Sequence, residues 1–374
     1  MTEGLEQVNT CDALVIGSSP LMLMRAYYLA GEGKSVVVVD KDEIFGGAWR
    51  NYRLNDQYRV EIGCHLIEAY PKVYDVYNNE FDIPFEVCTP QPARILKSGK
   101  VIRYFSMPMV VLSTIRVTAL YFLSLLKSIL DRNQIELVKK YASKLRDYRN
   151  QFLGVICGCK LEDPVHGYSH FIERLIEKCE ENGVNFIRYD VKSMQRKNDK
   201  WVATDTEGKH ILSRDVICSS SACFEKTSDN GFFAKDAGFI LHTSIVCGVK
   251  TDDLLVSRSY TAFWNDPFVK RISLLIGTES PNGDPLFLLE ITGRVSDYKI
   301  PQFNSLISDA FVKAQLTKSN VEIEVLEVIE NQSVNNTDQL PIGEIAPRFH
   351  TISSYGNLAS GILGNRKWIR TKAG

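Results

Sequence analysis

Residues 12–41, DALVIGSSPLMLMRAYYLAGEGKSVVVVDK, decide the fold of this chain. An apolar run at residues 12–17 comes before a predicted helix from Pro20 to about Gly31, and proline suits the first turn of a helix. Residues 35–40 form a second run that is apolar on both faces, as in a buried parallel strand. This order of strand, helix and strand predicts a βαβ unit of the kind that opens a dinucleotide-binding fold.

The loop after the first strand has one glycine where a dinucleotide fold has three. Gly17 keeps the position of the tight turn, whereas Ser19 and Met22 take the second and third positions. Ser19 is small and offers a hydroxyl to phosphate, but Met22 requires a shifted helix or a cavity beside it. The helix N-terminus attracts phosphate without any glycine. Asp40, 23 positions after Gly17, matches the acidic residue that accepts hydrogen bonds from ribose hydroxyls.

Two further glycine motifs narrow the family. Gly46 and Gly47 allow the chain to fold back over a cofactor, and a Gly63-Cys64-His65 turn follows. With these motifs the chain resembles the flavoprotein superfamily of amine oxidases, protoporphyrinogen oxidases, phytoene desaturases and UDP-galactopyranose mutases. In that superfamily FAD is held by a glycine-rich phosphate loop, an acidic strand end, a GG motif and a G-x-H turn beside the flavin. The resemblance covers residues 11–100 and 165–222, and the C-terminus weakly.

The resemblance implies where FAD would bind. Val191 would bring a backbone group to the adenine, and Ser219 would end the strand that returns under the cofactor. The residues that the resemblance assigns to FAD are Gly17, Ser18, Ser19, Pro20, Asp40, Lys41, Gly46, Gly47, Ala48, Trp49, Gly63, His65, Val191, Ser219, Gly356, Asn357 and Leu358. His65 is the expected catalytic residue, nearest the isoalloxazine ring, although a histidine satisfied within the fold is an equal interpretation.

Nearby residues have two interpretations each. Arg50 and Glu68 either serve the substrate or are surface charges, and Trp49 and Tyr52 either line a pocket or pack in the core. His166 and His170 are four residues apart, but the sequence offers no third ligand beside them, and no metal site is predicted.

The fold that we predict is α/β with two discontinuous domains. A Rossmann-like FAD-binding domain with a parallel sheet takes residues 11–70, 165–222 and 340–370. An α+β substrate domain, with a mainly antiparallel sheet and a helical insertion, takes residues 71–164 and 223–339.

Residues 107–150 have the spacing of an amphipathic helix. One face carries Val111, Ile115, Phe122, Leu125 and Ile129, and another carries Ser113, Arg116, Ser124, Lys127 and Asp131. The apolar stretch is too short and too flanked by charge to span a bilayer. The helix therefore either packs in the second domain or makes a peripheral membrane contact through residues 109–130.

The composition limits the partners. The 374 residues include 44 basic and 45 acidic ones, so no basic balance points to nucleic acid, and a small-molecule substrate is expected. Nine cysteines at irregular spacing fit reduced cytosolic thiols. Residues 1–12 lack the features of a signal peptide, so a cytoplasmic location is expected.

The predicted function is an FAD-dependent oxidoreductase that passes hydride from a small or amphipathic organic substrate to flavin N5. One alternative is a non-redox flavoenzyme that resembles UDP-galactopyranose mutase. Another is a non-catalytic binding module that resembles the Rab GDP-dissociation inhibitors, which share the fold without using FAD. Ser19 and Met22 are the residues that keep the binding module open.

Overall fold

The computed structural model of the protein describes residues 9–54, 58–61, 67–68, 76–77, 79–82, 85–88, 92–103, 107–130, 138, 141–142, 145, 158–161, 167–219, 224–227, 231–235, 239–257, 260–263, 266–280, 282–297, 299–319, 321–334 and 343–352. The helices are α1 (Pro20–Gly31), α2 (Met107–Leu130), α3 (Gly167–Glu181) and α4 (Ile300–Lys313), with short 3-10 helices at Gly47–Trp49, Thr251–Asp253 and Val295–Asp297. None of the helices in these ranges is long and apolar enough to cross a membrane.

The strands, in chain order, are β1 (Asn9–Ile16), β2 (Val36–Asp40), β3 (Asn51–Leu54), β4 (Tyr58–Glu61), β5 (Ile67–Glu68), β6 (Phe85–Cys88), β7 (Pro92–Ile95), β8 (Val101–Arg103), β9 (Gly158–Leu161), β10 (Asn185–Arg188), β11 (Val191–Lys197), β12 (Lys200–Asp205), β13 (His210–Ser219), β14 (Phe224–Lys226), β15 (Phe232–Ala234), β16 (Phe239–Gly248), β17 (Tyr260–Phe263), β18 (Val269–Glu279), β19 (Pro285–Thr292), β20 (Glu324–Val334), β21 (Gly343–Ala346) and β22 (Phe349–Ile352).

The first sheet has ten strands around a parallel core. Its parallel strands lie in the order β10, β2, β1, β13 and β22. The long strand β13 has two neighbours on one edge, since residues 210–213 pair antiparallel with β12 and residues 216–219 pair parallel with β22. Strands β11, β15 and β14 extend the sheet beyond β12. The predicted parallel sheet is therefore confirmed.

Both faces of this sheet are covered. Alternate residues of β1 point to opposite faces, so Ala13 and Val15 join the cluster under α1 and α3, whereas Leu14 joins the cluster around Trp201. The Cys179 thiol of α3 donates to the carbonyl of Leu23 in α1 over 3.2 Å. Burial raises the pKa of Cys179 to about 12, so this thiol stays protonated and keeps its hydrogen bond between the two helices.

The second sheet has seven strands in the order β20, β16, β19, β18, β17, β7 and β8. Every pairing in it is antiparallel except that of β17 with β7, which confirms the mainly antiparallel sheet. Helix α4 packs on this sheet through Phe303, Ile307 and Phe311. Smaller sheets are formed by β3 with β4 and by β5, β9 and β6. The domain boundaries stay a prediction.

Candidate functional site

The candidate site lies at one edge of the parallel sheet. Strands β1, β2, β13 and β22 run parallel, so their carboxyl ends meet at this edge. Open α/β sheets bind their ligands outside the carboxyl ends of the strands. We therefore define the candidate site as residues 17–20, 40–42 and 46–49 together with Ser219, the last residue of β13.

Gly17 forms the turn out of β1. Its backbone N–H donates to the carbonyl of Val39 (2.8 Å), and its φ of +101° is one that side chains rarely adopt. A Cβ atom at Gly17 would lie 3.3 Å from the Cβ of Ser219. Glycine is therefore required here both by the conformation and by the close approach of β13. The structure thus brings Gly17 and Ser219 together.

Ser18 joins three parts of the site. Its hydroxyl donates to Oδ2 of Asp40 over 2.5 Å and accepts the N–H of Gly46 over 2.8 Å. Its own N–H donates to the same carboxylate oxygen over 3.0 Å. The other carboxylate oxygen, Oδ1, accepts the N–H of Asp42 over 3.2 Å. One serine therefore fixes the relative positions of the phosphate loop, the acidic strand end and the GG turn.

Ser19 lies at the N-terminus of α1. It has extended backbone angles, and its side chain makes no capping hydrogen bond to the helix. Its hydroxyl is buried and has no partner among the residues that the structure describes. A buried hydroxyl without a partner is costly, and a bound polar group is one way to complete it. At a helix N-terminus the fitting group is an anion such as phosphate.

The GG turn packs against this loop. Gly46 has a φ of +126°, and a Cβ there would lie 2.9 Å from Cγ2 of Ile172 in α3. Gly47 has a φ of +58°, and a Cβ there would lie 3.4 Å from the Cα of Ser19. The two glycines therefore let residues 46–49 fold back onto the first turn of α1.

The backbone beyond β10 reaches the acidic strand end. Arg188 pairs with Asp40 in the parallel register, and the N–H of Tyr189 donates to the carbonyl of Asp40 over 2.8 Å. Val191 follows two residues later and is buried at the start of β11. Val191 therefore lies only two residues along the chain from Tyr189, which hydrogen-bonds directly to Asp40.

Met22 is taken up by the hydrophobic core. Its side chain is fully buried in the cluster that also contains Trp49, Tyr77 and Phe171. The Cγ atom lies 3.9 Å from the position of a Cβ on Gly17. The long side chain at the third glycine position therefore points from α1 into the hydrophobic core, close to the turn at Gly17.

For some side chains near the site, the structure decides between the two interpretations that the sequence left open. The indole of Trp49 packs edge-on against Phe171 at 5.8 Å between ring centroids, which favours the core. Arg50 forms an ion pair with Asp42, and Tyr52 is exposed. Lys41 is exposed at the site. Trp49 as a cofactor contact stays a prediction.

Other predicted site residues fall outside the described part. Gly63, His65 and residues 356–358 lie outside the described residues, as does His166. Of Ala48, Glu68 and His170 only the backbone is described. Strand β22 ends at Ile352, so the chain approaches the site edge four residues before Gly356.

Sequence reasoning missed two contacts at this site. It assigned Ser18 to the cofactor but gave it no structural role, and it did not pair Ile172 with Gly46. A serine directly after the turn glycine is a short side chain beside the acidic strand end, and this was the available signal for the Ser18 bridge. The contact between α3 and the GG turn depends on the tertiary packing of distant segments, and no local pattern encodes it.

Comparison with known proteins agrees with this geometry. Residues 15–79 match the family model of the NAD(P)-binding Rossmann-like domain. No curated protein matches the sequence.

Three solved structures have the same overall fold at low sequence identity. An oxidoreductase from Methanosarcina mazei has a TM-score of 0.63 at 14% identity over 95% of this chain and 100% of that one. Cyclohexylamine oxidase from Brevibacterium oxydans has a TM-score of 0.62 at 11% identity over 96% and 98%. The Rab GDI from Plasmodium falciparum has a TM-score of 0.56 at 12% identity over 98% and 100%. The chain therefore has a Rossmann-like, amine-oxidase-like fold, which confirms at the level of the fold the resemblance inferred from its motifs.

Proposed function

We propose that the protein is an FAD-dependent oxidoreductase that acts on a small or amphipathic organic substrate. One observation carries this proposal: the buried hydroxyl of Ser19, without a partner among the described residues, lies at the N-terminus of α1 where Gly17, Asp40 and Gly47 converge. An anionic diphosphate would complete that hydroxyl. The similarity to oxidoreductase structures supports the proposal at the level of the fold.

The residues of the site fit the parts of a dinucleotide. The N-terminus of α1, with no acidic residue in its first turn, favours the diphosphate. The Asp40 carboxylate would accept ribose hydroxyls through the lone pairs that Ser18 and Asp42 leave free. The turn at Gly46 and Gly47 would let the backbone approach the cofactor without a side chain between them.

The chemistry would come from the cofactor. Bound FAD supplies a hydride acceptor at N5, while the protein supplies binding, orientation and electrostatics. The chain would hold the dinucleotide at the sheet edge and exclude water from it. His65, in the motif that resembles the turn beside the flavin, would hydrogen-bond the flavin or a polar group of the substrate. A cytoplasmic location stays an expectation.

The second candidate is a non-catalytic binding module. The similarity to the Rab GDI and the replacement of two loop glycines by Ser19 and Met22 favour it. The hydrogen bonds from Ser18 to Asp40 also occupy part of the carboxylate that would face a ribose. The mutase alternative stays a prediction from the sequence.

The test compares two glycine variants in FAD titrations followed by fluorescence. Gly47→Trp places a large side chain at the turn, where a Cβ alone would already contact the Cα of Ser19 at 3.4 Å, whereas the Cβ position of Gly99 lies in open space, so Gly99→Trp is the control. Both positions have positive φ, so both variants bear a similar conformational cost of about 1 kcal/mol. We expect the Gly47 variant to bind FAD at least about tenfold more weakly and the Gly99 variant to bind like the wild type.

Catalysis is tested separately, on the flavin-loaded protein without oxygen. Bleaching of the flavin absorbance by a primary or secondary amine would support the oxidoreductase. Retained FAD with no bleaching across amines and alcohols would favour another use of the flavin, and failure to bind FAD would favour the binding module.

A further inference from the structure

Helix α2 exposes a continuous apolar surface. Val111, Ile115, Phe122 and Leu126 are exposed by 43%, 61%, 56% and 61% of their surface. Their spacing of four, eleven and fifteen positions from Val111 places them on one side of the helix, and we call them the apolar stripe. The stripe is about 22 Å long, from the helical rise of 1.5 Å per residue. Leu123 and Leu125, also exposed, flank it.

The opposite side of α2 faces the protein and is less apolar than the stripe. Val117 and Ser124 are buried, and Thr114 is half-buried. The Ser124 hydroxyl donates to the carbonyl of Leu120 over 2.8 Å, so its burial leaves no unpaired donor. A surface helix of a globular protein usually turns its apolar side inward. Within the described residues, the packing of α2 does not use the stripe, which is therefore open to a partner.

The charge of α2 indicates the chemical class of the partner. Helix α2 contains no aspartate or glutamate. Arg116 is exposed next to the stripe. Lys127 is eleven positions later, so it lies on the same side of the helix as Arg116. The 24 residues of α2 include two basic ones, Arg116 and Lys127, although the whole chain has a net charge of −1. This concentration of positive charge favours an anionic partner and opposes a second copy of the same helix, because the copies would bring like charges together.

We propose that α2 binds the surface of an anionic lipid bilayer through the apolar stripe. An amphipathic helix of this kind lies in the membrane interface with its apolar side inserted into the boundary of headgroups and acyl chains. Arg116 would extend to the headgroups while its aliphatic part follows the stripe. The helix would lie parallel to the bilayer surface, because its other side, with the buried Val117 and Ser124, packs against the protein.

The test is co-sedimentation of the full-length protein with vesicles of phosphatidylcholine, with and without phosphatidylserine. The stripe variant is Ile115→Glu, Phe122→Glu, Leu126→Glu. The matched control places three glutamates at other exposed apolar positions, Phe233→Glu, Leu255→Glu, Val312→Glu. Circular dichroism checks that both variants fold. We expect the wild type and the control to sediment with the anionic vesicles, and the stripe variant to bind about a hundredfold more weakly.

Two further measurements separate the contributions. Arg116→Gln with Lys127→Gln should reduce the preference for phosphatidylserine, and added salt should weaken the remaining binding. The proposal is overturned if the wild type stays in the supernatant with anionic vesicles, or if the stripe variant sediments as the wild type does. It is also overturned if size-exclusion chromatography shows a dimer that only the stripe variant dissociates and no vesicle binding occurs, because a second copy would then cover the stripe.

Discussion

The hydroxyl of Ser18 lies 2.5 Å from Oδ2 of Asp40 and 2.8 Å from the backbone nitrogen of Gly46. Ser18→Ala would remove both hydrogen bonds and leave the buried N–H of Gly46 without its partner. We expect the free energy of unfolding to fall by about 1–3 kcal/mol, the usual cost of an unpaired buried group. Urea denaturation measures this change, and an unchanged midpoint would show that the bridge contributes nothing to stability.

Ser19→Ala should have a different effect. The Ser19 hydroxyl has no partner within the described residues, so its removal takes away an unpaired buried group. We expect the stability of the cofactor-free protein to stay the same or to rise by up to about 1 kcal/mol. Affinity for FAD should fall about tenfold, because the diphosphate would lose one donor. An equal loss of stability in the Ser18 and Ser19 variants would contradict the roles assigned to them.

Placing a glycine at position 22, the third glycine position of the loop, should not stabilise the protein. Met22 is fully buried in the cluster under α1, so its truncation leaves a cavity. We expect Met22→Ala to lower the free energy of unfolding by about 2–5 kcal/mol and Met22→Gly to lower it further. Leu255→Ala, at an exposed position, is the control and should change stability by less than about 0.5 kcal/mol. A more stable Met22→Gly protein would show that the methionine is a defect of the loop.

The protein should lose stability in mild acid through two partly buried histidines. Burial lowers the pKa of His350, with a further lowering by Arg25 and opposing contributions from Glu344 and Asp215. Burial also lowers the pKa of His242. Protons therefore bind the unfolded chain more tightly, so this contribution is complete above the unfolded value of about 6.5 and declines as the pH falls below it.

Unfolding free energies measured between about pH 7.5 and pH 5.5 check this direction. His350→Gln should flatten the decline, since glutamine does not titrate in this range. A decline of the same slope in that variant would assign the acid sensitivity to other groups.

The elements that the sequence predicted best are those with local causes. Helix α1 occupies the predicted range, because Pro20 suits its first turn and the glycine at position 33, with φ of +83°, follows its end. The turns at Asn198 and Gly208 also have a local cause, since both residues have positive φ. Such features depend on the conformational preference of one or two residues and can be read without the tertiary structure.

Other features depend on tertiary contacts. Helix α4 was not predicted, although Phe303, Ile307 and Phe311 follow helical spacing, because its charged and polar residues dilute that pattern. The amphipathic spacing of α2 was predicted, but the sequence left open whether the apolar side packs in the protein or faces a membrane. Spacing shows which residues share a side of a helix, and only the packing of the neighbouring elements decides which side is buried.

The proposed role of the site where Gly17, Ser19, Asp40 and Gly47 converge is to hold a flavin dinucleotide. The most direct test is the absorbance spectrum of the purified full-length protein, followed by the spectrum and chromatography of the supernatant after heat release. We predict a flavin spectrum and free FAD in the supernatant. A colourless protein that also fails to take up added FAD would contradict the claim and favour the binding module.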